Sequence, residues 1–289
     1  MSFPLVHRIA LGGAGFSLAD APDESAAVAT IRAAADAGIG IFDSARAYAP
    51  VDDPLHNEQL LRRALAGHPD VLIATKGGHF RTGVSSWAVD NTPDRLRRDV
   101  DTSLKALGVD RIGLFYLHRA DGSPTVAESV NALDELKRQG KIAAIGLSNV
   151  SLGQLDEALA IARVDAVQNS YSVGGRGDNA VLERCEQREI PFFAYSPLGG
   201  SSGSGSIAAR FPRLHSLAGR REISVQRLAL AALLARSPVM SVVVGAGRPA
   251  TAIDAAAAVN VPWDEEAWAA YEADVKQDPS ASLTHEGGG

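Results

Sequence analysis

The chain has 289 residues, of which 46% are apolar, and a formal net charge of −6. That is ample for a large buried core, in one big domain or two ordinary ones. The acidic balance, the absence of a dense basic cluster and the lack of any apolar window of about 18 residues exclude a nucleic-acid surface and a membrane-spanning helix.

Short apolar runs alternate with longer alanine- and leucine-rich segments of helical period. The first run, "RIALGG" (8–13), predicts a strand and is followed by a helix over 24–37. "IGIF" (39–42) and a helix over 56–66 come next, then "VLIAT" (71–75) and a helix over 93–107 opened by Asn91-Thr92-Pro93. "IGLFYLH" (112–118) leads to a helix over 124–139 opened by Ser123-Pro124. In both places a capping residue precedes a first-turn proline. "IAAIGLS" (142–148), "DAVQNS" (165–170) and "IPFFAYS" (190–196) predict three more strands, with helices over 151–162 and 178–188 after the first two. The glycine- and serine-rich stretch from 199 reads as a mobile loop to about 222, before a helix over 224–235. The strand "MSVVVG" (240–245), a helix over 249–259 and an extra helix over 263–275 complete the pattern, and 280–289 reads as a disordered tail.

Eight strand–helix units with no tight hairpin between adjacent strands predict a parallel sheet in one domain. The count favours a closed (β/α)8 TIM barrel, an α/β fold, with one extra C-terminal helix. An open doubly wound sheet is the alternative, but "ALGGAGF" lacks the G-x-G-x-x-G that opens a helix in such folds. Cys185 is the only cysteine, so no intrachain disulfide forms, and "VLERCEQREI" predicts a structural thiol on an amphipathic helix. A reducing cytoplasm suits such a chain. The seven histidines show no metal-ligand spacing, so no metal is expected.

A barrel of this kind works at the C-terminal ends of its strands. There the sequence places Asp43, Lys76, His118, Ser148 with Asn149, Gln168 with Asn169, and Tyr195. A carboxylate, an ammonium and an imidazole at the ends of buried strands are costly unless paired. Asp43 is expected to anchor Lys76, and Lys76 to lower the pKa of the Tyr48 phenol. Tyr48 then gives a proton to an oxygen that develops negative charge, and His118 adds a second hydrogen bond.

With "FDSARAYA", "TKGG", "LHRAD", "IGLSN", "QNSY" and "YSPLG" in this order and spacing, the chain resembles the aldo-keto reductase superfamily over roughly residues 6–260. The resemblance implies an oxidoreductase using NADPH/NADP+, with NADH also possible, and a catalytic tetrad of Asp43, Tyr48, Lys76 and His118. It implies that Ser148, Asn149 and Gln168 hold the nicotinamide carboxamide and that Tyr195 stacks on the ring. Ser196 to Gly200, Leu198 included, would pass the pyrophosphate, and Gly13 and Ala14 would let the cofactor approach the backbone. After the eighth strand, Gly245, Ala246, Thr251 and Ala255 stand where relatives usually carry cations, hydroxyls or an adenine-contacting Asn. Arg248 is left as the cation for a 2′-phosphate. Phe16 and Trp87 are expected to wall the substrate pocket.

The expected partners are a small carbonyl or alcohol substrate, with no nucleic acid and no membrane, in a monomer or weak homo-oligomer. Three other readings stay open here: an aldose-type dehydrogenase working mainly in oxidation, a cofactor-binding regulatory subunit with little turnover, and a barrel lyase or isomerase using Lys76 as a Schiff-base nucleophile.

Overall fold

The computed structural model describes residues 7–18, 23–121, 124–175 and 179–278. The strands in chain order are β1 (Ile9–Gly12), β2 (Ile41–Asp43), β3 (Leu72–Gly77), β4 (His79–Gly83), β5 (Ser86–Val89), β6 (Leu114–Leu117), β7 (Ile145–Ser148), β8 (Ala166–Ser170), β9 (Phe192–Tyr195) and β10 (Met240–Val244). Eight of them close a barrel of parallel neighbours in the order β1-β10-β9-β8-β7-β6-β3-β2, and β2 returns to β1. The helices are α1 (Glu24–Asp36), α2 (His56–Ala64), α3 (Pro93–Leu107), α4 (Val126–Arg138), α5 (Leu152–Ile161), α6 (Asn179–Arg188), α7 (Gly200–Arg210), α8 (Pro212–Arg220), α9 (Val225–Arg236), α10 (Pro249–Ala256) and α11 (Glu265–Val275). At least one helix follows each barrel strand, and α11 is the expected extra one. No helix among the described residues is long and apolar enough to cross a membrane.

Side chains alternate across each strand, so one set meets the helices and the other fills the barrel. Ile9, Leu11, Phe42, Phe115, Leu147, Val167 and Phe192 belong to the layer under the helices. Ala10, Ile41, Ala74, Leu114, Tyr116, Ala144, Ala166, Phe193 and Val243 form the inner cluster. The inner layer mixes small and large residues because the space is fixed. At Gly146 a Cβ would lie 2.2 Å from Cδ1 of Tyr116, so this position must be glycine for the phenol ring to cross the barrel.

Three expectations are corrected. The loop after β3 holds a hairpin: β4 and β5 pair antiparallel, with His79 opposite Val89 and Arg81 opposite Trp87. The 199–222 stretch is helical, as α7 and α8. Glycine and serine are poor helix formers, yet α7 is held down by fully buried Ile207 and Phe211 and by Gln226 donating to the Ser204 carbonyl. The cap of α4 is Thr125, in a capping box with Glu128, rather than Ser123. Thr92 does cap α3 as expected. Cys185 is buried on α6. The 280–289 tail and Ser123 lie outside the described residues.

Candidate active site

Register explains how the strand-end groups meet. Asp43 pairs with Ala74, and Lys76 stands two residues further along β3 on the same inward face. Lys76 in turn pairs with Tyr116, and His118 follows that residue by two. Gly146 pairs with Tyr116, Ser148 follows it by two, and Ser148 pairs with Gln168. The polar groups at the barrel mouth therefore continue the inward face that lower down carries Ile41, Ala74, Leu114, Ala144 and Ala166.

Lys76 is fully buried, and Nζ donates to Asp43 Oδ2 at 2.6 Å, to the Ser44 carbonyl at 2.9 Å and to the Tyr48 hydroxyl at 3.3 Å. The second Asp43 oxygen accepts from Gln168 Nε2 at 3.0 Å. The Tyr48 and His118 rings meet edge to face, with centroids 5.6 Å apart. The four members of the expected tetrad are thus brought together. Lys76 sits behind Tyr48 and does not line the cavity. It is therefore poorly placed to attack a carbonyl as a free amine.

Burial pushes the Tyr48 phenol above its ordinary value, and Lys76 pulls the other way without overcoming it. The expectation that the ammonium lowers this phenol outright is corrected: it offsets part of the desolvation. Burial also acts to discharge Lys76, but Asp43 and then Tyr48 outweigh it and hold the ammonium above its ordinary range. Burial, then the charges of Lys76, His79 and Arg119, hold His118 well below the ordinary imidazole range, so the ring is neutral at neutral pH. Its Nδ1 is buried without a partner. Nε2 is then the nitrogen left to meet a group in the cavity.

A second polar shell holds the Tyr48 loop. Arg46 N donates to the Lys76 carbonyl at 3.0 Å. Arg46 Nη1 donates to Glu58 Oε2 at 3.1 Å, and Glu58 Oε1 accepts from Thr75 at 2.7 Å. Asn57 accepts from Ser44 at 2.7 Å and donates to the Gly13 carbonyl at 2.8 Å. Arg46 and Glu58 are nearly buried, and breaking such a pair from one side costs about 3–5 kcal/mol. Glu58→Ala is expected to lose stability of that order in urea unfolding, and Glu58→Gln less. A Glu58→Ala protein as stable as wild type would show that Arg46 finds other partners.

A cavity of about 680 Å3 opens above these groups, within the usual range for small-molecule and cofactor sites, about 300–1,000 Å3. Of the expected residues, Ala14, Phe16, Asp43, Tyr48, His118, Ser148, Asn149, Gln168, Tyr195, Ser196, Leu198, Gly200, Gly245 and Thr251 line it. Lys76, Gly13, Arg248 and Trp87 do not. Gly13 faces the fold: its N donates to the Asp43 carbonyl, and a Cβ would come within 2.8 Å of Asn57. Trp87 is 43% exposed on the hairpin, with Arg81 over its ring. Arg248 is the exposed N-cap of α10 and donates to Thr251 at the cavity rim at 3.2 Å.

His79, Arg119, Gln226 and Asp254 line the cavity without having been expected. The "HRAD" stretch could have suggested Arg119; the others depend on how elements fold over the mouth. Asn149 and Ser196 adopt left-handed backbone, with φ of 56° and 53°, as Glu189 and Glu222 do outside the cavity. Asn149 donates to the His118 carbonyl and accepts from Tyr195.

The cavity fits an extended dinucleotide in its own chemistry. Hydroxyl and amide groups flank the tetrad, and further along the backbone is bare. A Cβ at Gly245 or Gly247 would project into open space, and the first turn of α10 opens beside them, the kind of end that favours anions.

A closed barrel with a Tyr–Lys–Asp–His constellation at its mouth and a long cleft beside it defines an oxidoreductase of the barrel class. Residues 8–275 match the model of the aldo/keto reductase family, and the chain belongs to that family, whose members are NAD(P)H-dependent oxidoreductases. An uncharacterised oxidoreductase of Schizosaccharomyces pombe is 34% identical over 248 residues, covering 84% of this chain and 78% of that protein. A second protein of that yeast, an aldo-keto reductase named for NADP(+), is 32% identical over 184 residues, 61% of this chain and 53% of its own length. The solved glycerol dehydrogenase of Gluconobacter oxydans is similar with a TM-score of 0.82 and 25% identity, covering 98% of this chain and 95% of its own.

Proposed function

We propose that this protein reduces a carbonyl to an alcohol with NADPH, and runs the reverse oxidation with NADP+, using Tyr48 as the general acid and base. The observation that carries this reading is the buried Asp43–Lys76 pair with its ammonium 3.3 Å from the Tyr48 hydroxyl. When bound, the nicotinamide supplies or accepts the hydride. Tyr48 supplies the proton to the carbonyl oxygen, and the nearby Lys76 ammonium stabilises the phenolate left behind. Neutral His118 donates from Nε2 to the same oxygen. Ser148, Asn149 and Gln168 would hold the nicotinamide, Tyr195 would cover its ring, and the backbone from Ser196 to Gly200 would carry the pyrophosphate. Following a panel of aldehydes and ketones at the NADPH absorbance band tests the reading; a protein that binds NADPH and turns over none of them overturns it. A cytoplasmic location is part of the proposal, supported by the single buried cysteine.

For the cofactor, a named NADP(+) relative supports NADP(H). A 2′-phosphate near the start of α10 would meet Arg248 and the helix N-terminus. Asp254 adds a carboxylate to the same stretch, held by Arg227 at 2.6 Å. With one cation on offer, the preference for NADPH over NADH is about ten- to a hundredfold, the worth of one charge-assisted contact. Arg248→Ala is expected to weaken NADPH binding by that factor and leave NADH binding nearly as it was. Fluorescence titration decides: equal losses for both cofactors would remove Arg248 from the 2′-phosphate, and a wild-type preference for NADH would sink the NADP assignment.

A further inference from the structure

The tetrad does not use all the polar groups at the mouth. On the side of His118 the cavity wall also carries His79 and Arg119. Gly78 makes the turn that brings His79 there. Its φ is +79°, and a Cβ would lie 2.2 Å from Asn91 Oδ1, so only glycine fits. The chain then doubles back as β4 with His79 at its start. The His79 ring meets the His118 ring edge to face, with centroids 4.8 Å apart. In both rings Nδ1 is buried without a partner, so Nε2 is the nitrogen each can present to the cavity. Burial, then the Arg119 charge, hold His79 below the ordinary imidazole range. A second neutral imidazole beside the first has no task in moving the proton between Tyr48 and the substrate.

We propose that His79 selects the substrate, its Nε2 hydrogen-bonding a second oxygen on the carbon next to the reacting carbonyl. The preferred substrates are then α-hydroxy aldehydes and ketones, and vicinal diols in the reverse direction. This rests on the carbonyl-reduction reading above. Two imidazoles in edge-to-face contact on one wall, with centroids 4.8 Å apart, suit two oxygens on neighbouring carbons, the carbonyl at His118 and Tyr48 and the second at His79. A neutral imidazole can donate or accept, which matches a hydroxyl. Arg119 would favour a carboxylate in that place, but Asp121, 3.2 Å from it, offsets part of that charge, so a neutral oxygen is the better fit at His79.

Lactaldehyde and propanal share a three-carbon skeleton and differ by that hydroxyl, so their kcat/KM ratio is the test. Wild type is expected to favour lactaldehyde about tenfold, the worth of one neutral hydrogen bond at its upper end. His79→Phe keeps the ring contact with His118 and removes the polar nitrogen, and the ratio should fall to near one. His79→Gln places an amide nitrogen in nearly the same position and should restore part of it. NADPH fluorescence titration confirms that each variant keeps a folded cofactor site. Equal losses on both aldehydes in His79→Phe would overturn the proposal, because His79 would then serve His118 or the fold. A wild-type ratio near one, or glyoxylate outrunning lactaldehyde, would overturn it too, the latter by making the wall a reader of charge. Turnover without discrimination sinks only this inference, as does turnover confined to other carbonyls of the panel, whereas no turnover of any carbonyl by a protein that binds NADPH sinks the carbonyl-reduction reading and this inference with it.

Discussion

Tyr48→Phe is expected to lower turnover about 10²- to 10⁴-fold, the usual contribution of a positioned general acid. The substitution removes one oxygen and leaves the ring, which lies edge to face with His118 and under the Lys76 ammonium, 4.6 Å from its centroid. The Lys76 ammonium loses its weakest acceptor but keeps Asp43 and the Ser44 carbonyl, so thermal stability should fall only modestly and NADPH affinity should hardly move. The loss should fall on kcat, because the missing proton donor acts at the chemical step. Rapid-mixing measurement of a single turnover, together with NADPH fluorescence titration, separates the two. A variant that turns over near the wild-type rate would remove Tyr48 from the proton transfer.

Lys76→Met is expected to damage both chemistry and fold. It leaves Asp43 buried with Gln168 as its remaining side-chain hydrogen-bond donor, and an uncompensated buried charge costs about 3–5 kcal/mol. The Tyr48 phenol is already raised by burial, and Lys76 is the largest influence lowering it. Without the ammonium the phenol rises further, so the pH profile of alcohol oxidation, which needs the phenolate, should shift to higher pH. The stability effect has its own pH window. The Lys76 ammonium is held above its ordinary value in the folded protein, so its pairing contribution is complete below about pH 10.4 and is lost only as pH rises through the higher folded value. The stability gap between wild type and Lys76→Met should therefore stay level across the neutral range. An unmoved alkaline limb with activity retained would break the proposed coupling between Lys76 and Tyr48.

The alternation of apolar runs with helical segments was enough to predict the barrel, because period and length are local properties of the chain. All eight barrel strands and the eight helices that the pattern predicts fall close to where it puts them, and "NTP" even marks the cap of α3. The tetrad was legible for a related reason: four polar residues at or just beyond the ends of apolar strands violate the local rule of apolar burial, and such violations gather at functional sites. What depends on distant partners was not legible. The glycine- and serine-rich segment that forms α7 lacks local helix propensity and takes its structure from Ile207 and Phe211 sinking into the core. The next helix, α8, receives its N-terminal cap from Asp274, whose carboxylate accepts from the backbone N–H groups of Arg213 and Leu214 some sixty residues earlier. No local pattern announces such a bond. The hairpin that carries Trp87 out to solvent and His79 over the mouth depends on Gly78 making room for Asn91. The net direction of the Tyr48 shift is not legible in the sequence, where only the identity of a neighbouring cation is written. How deeply the phenol is buried, and hence whether desolvation outweighs that cation, is decided only when the barrel closes.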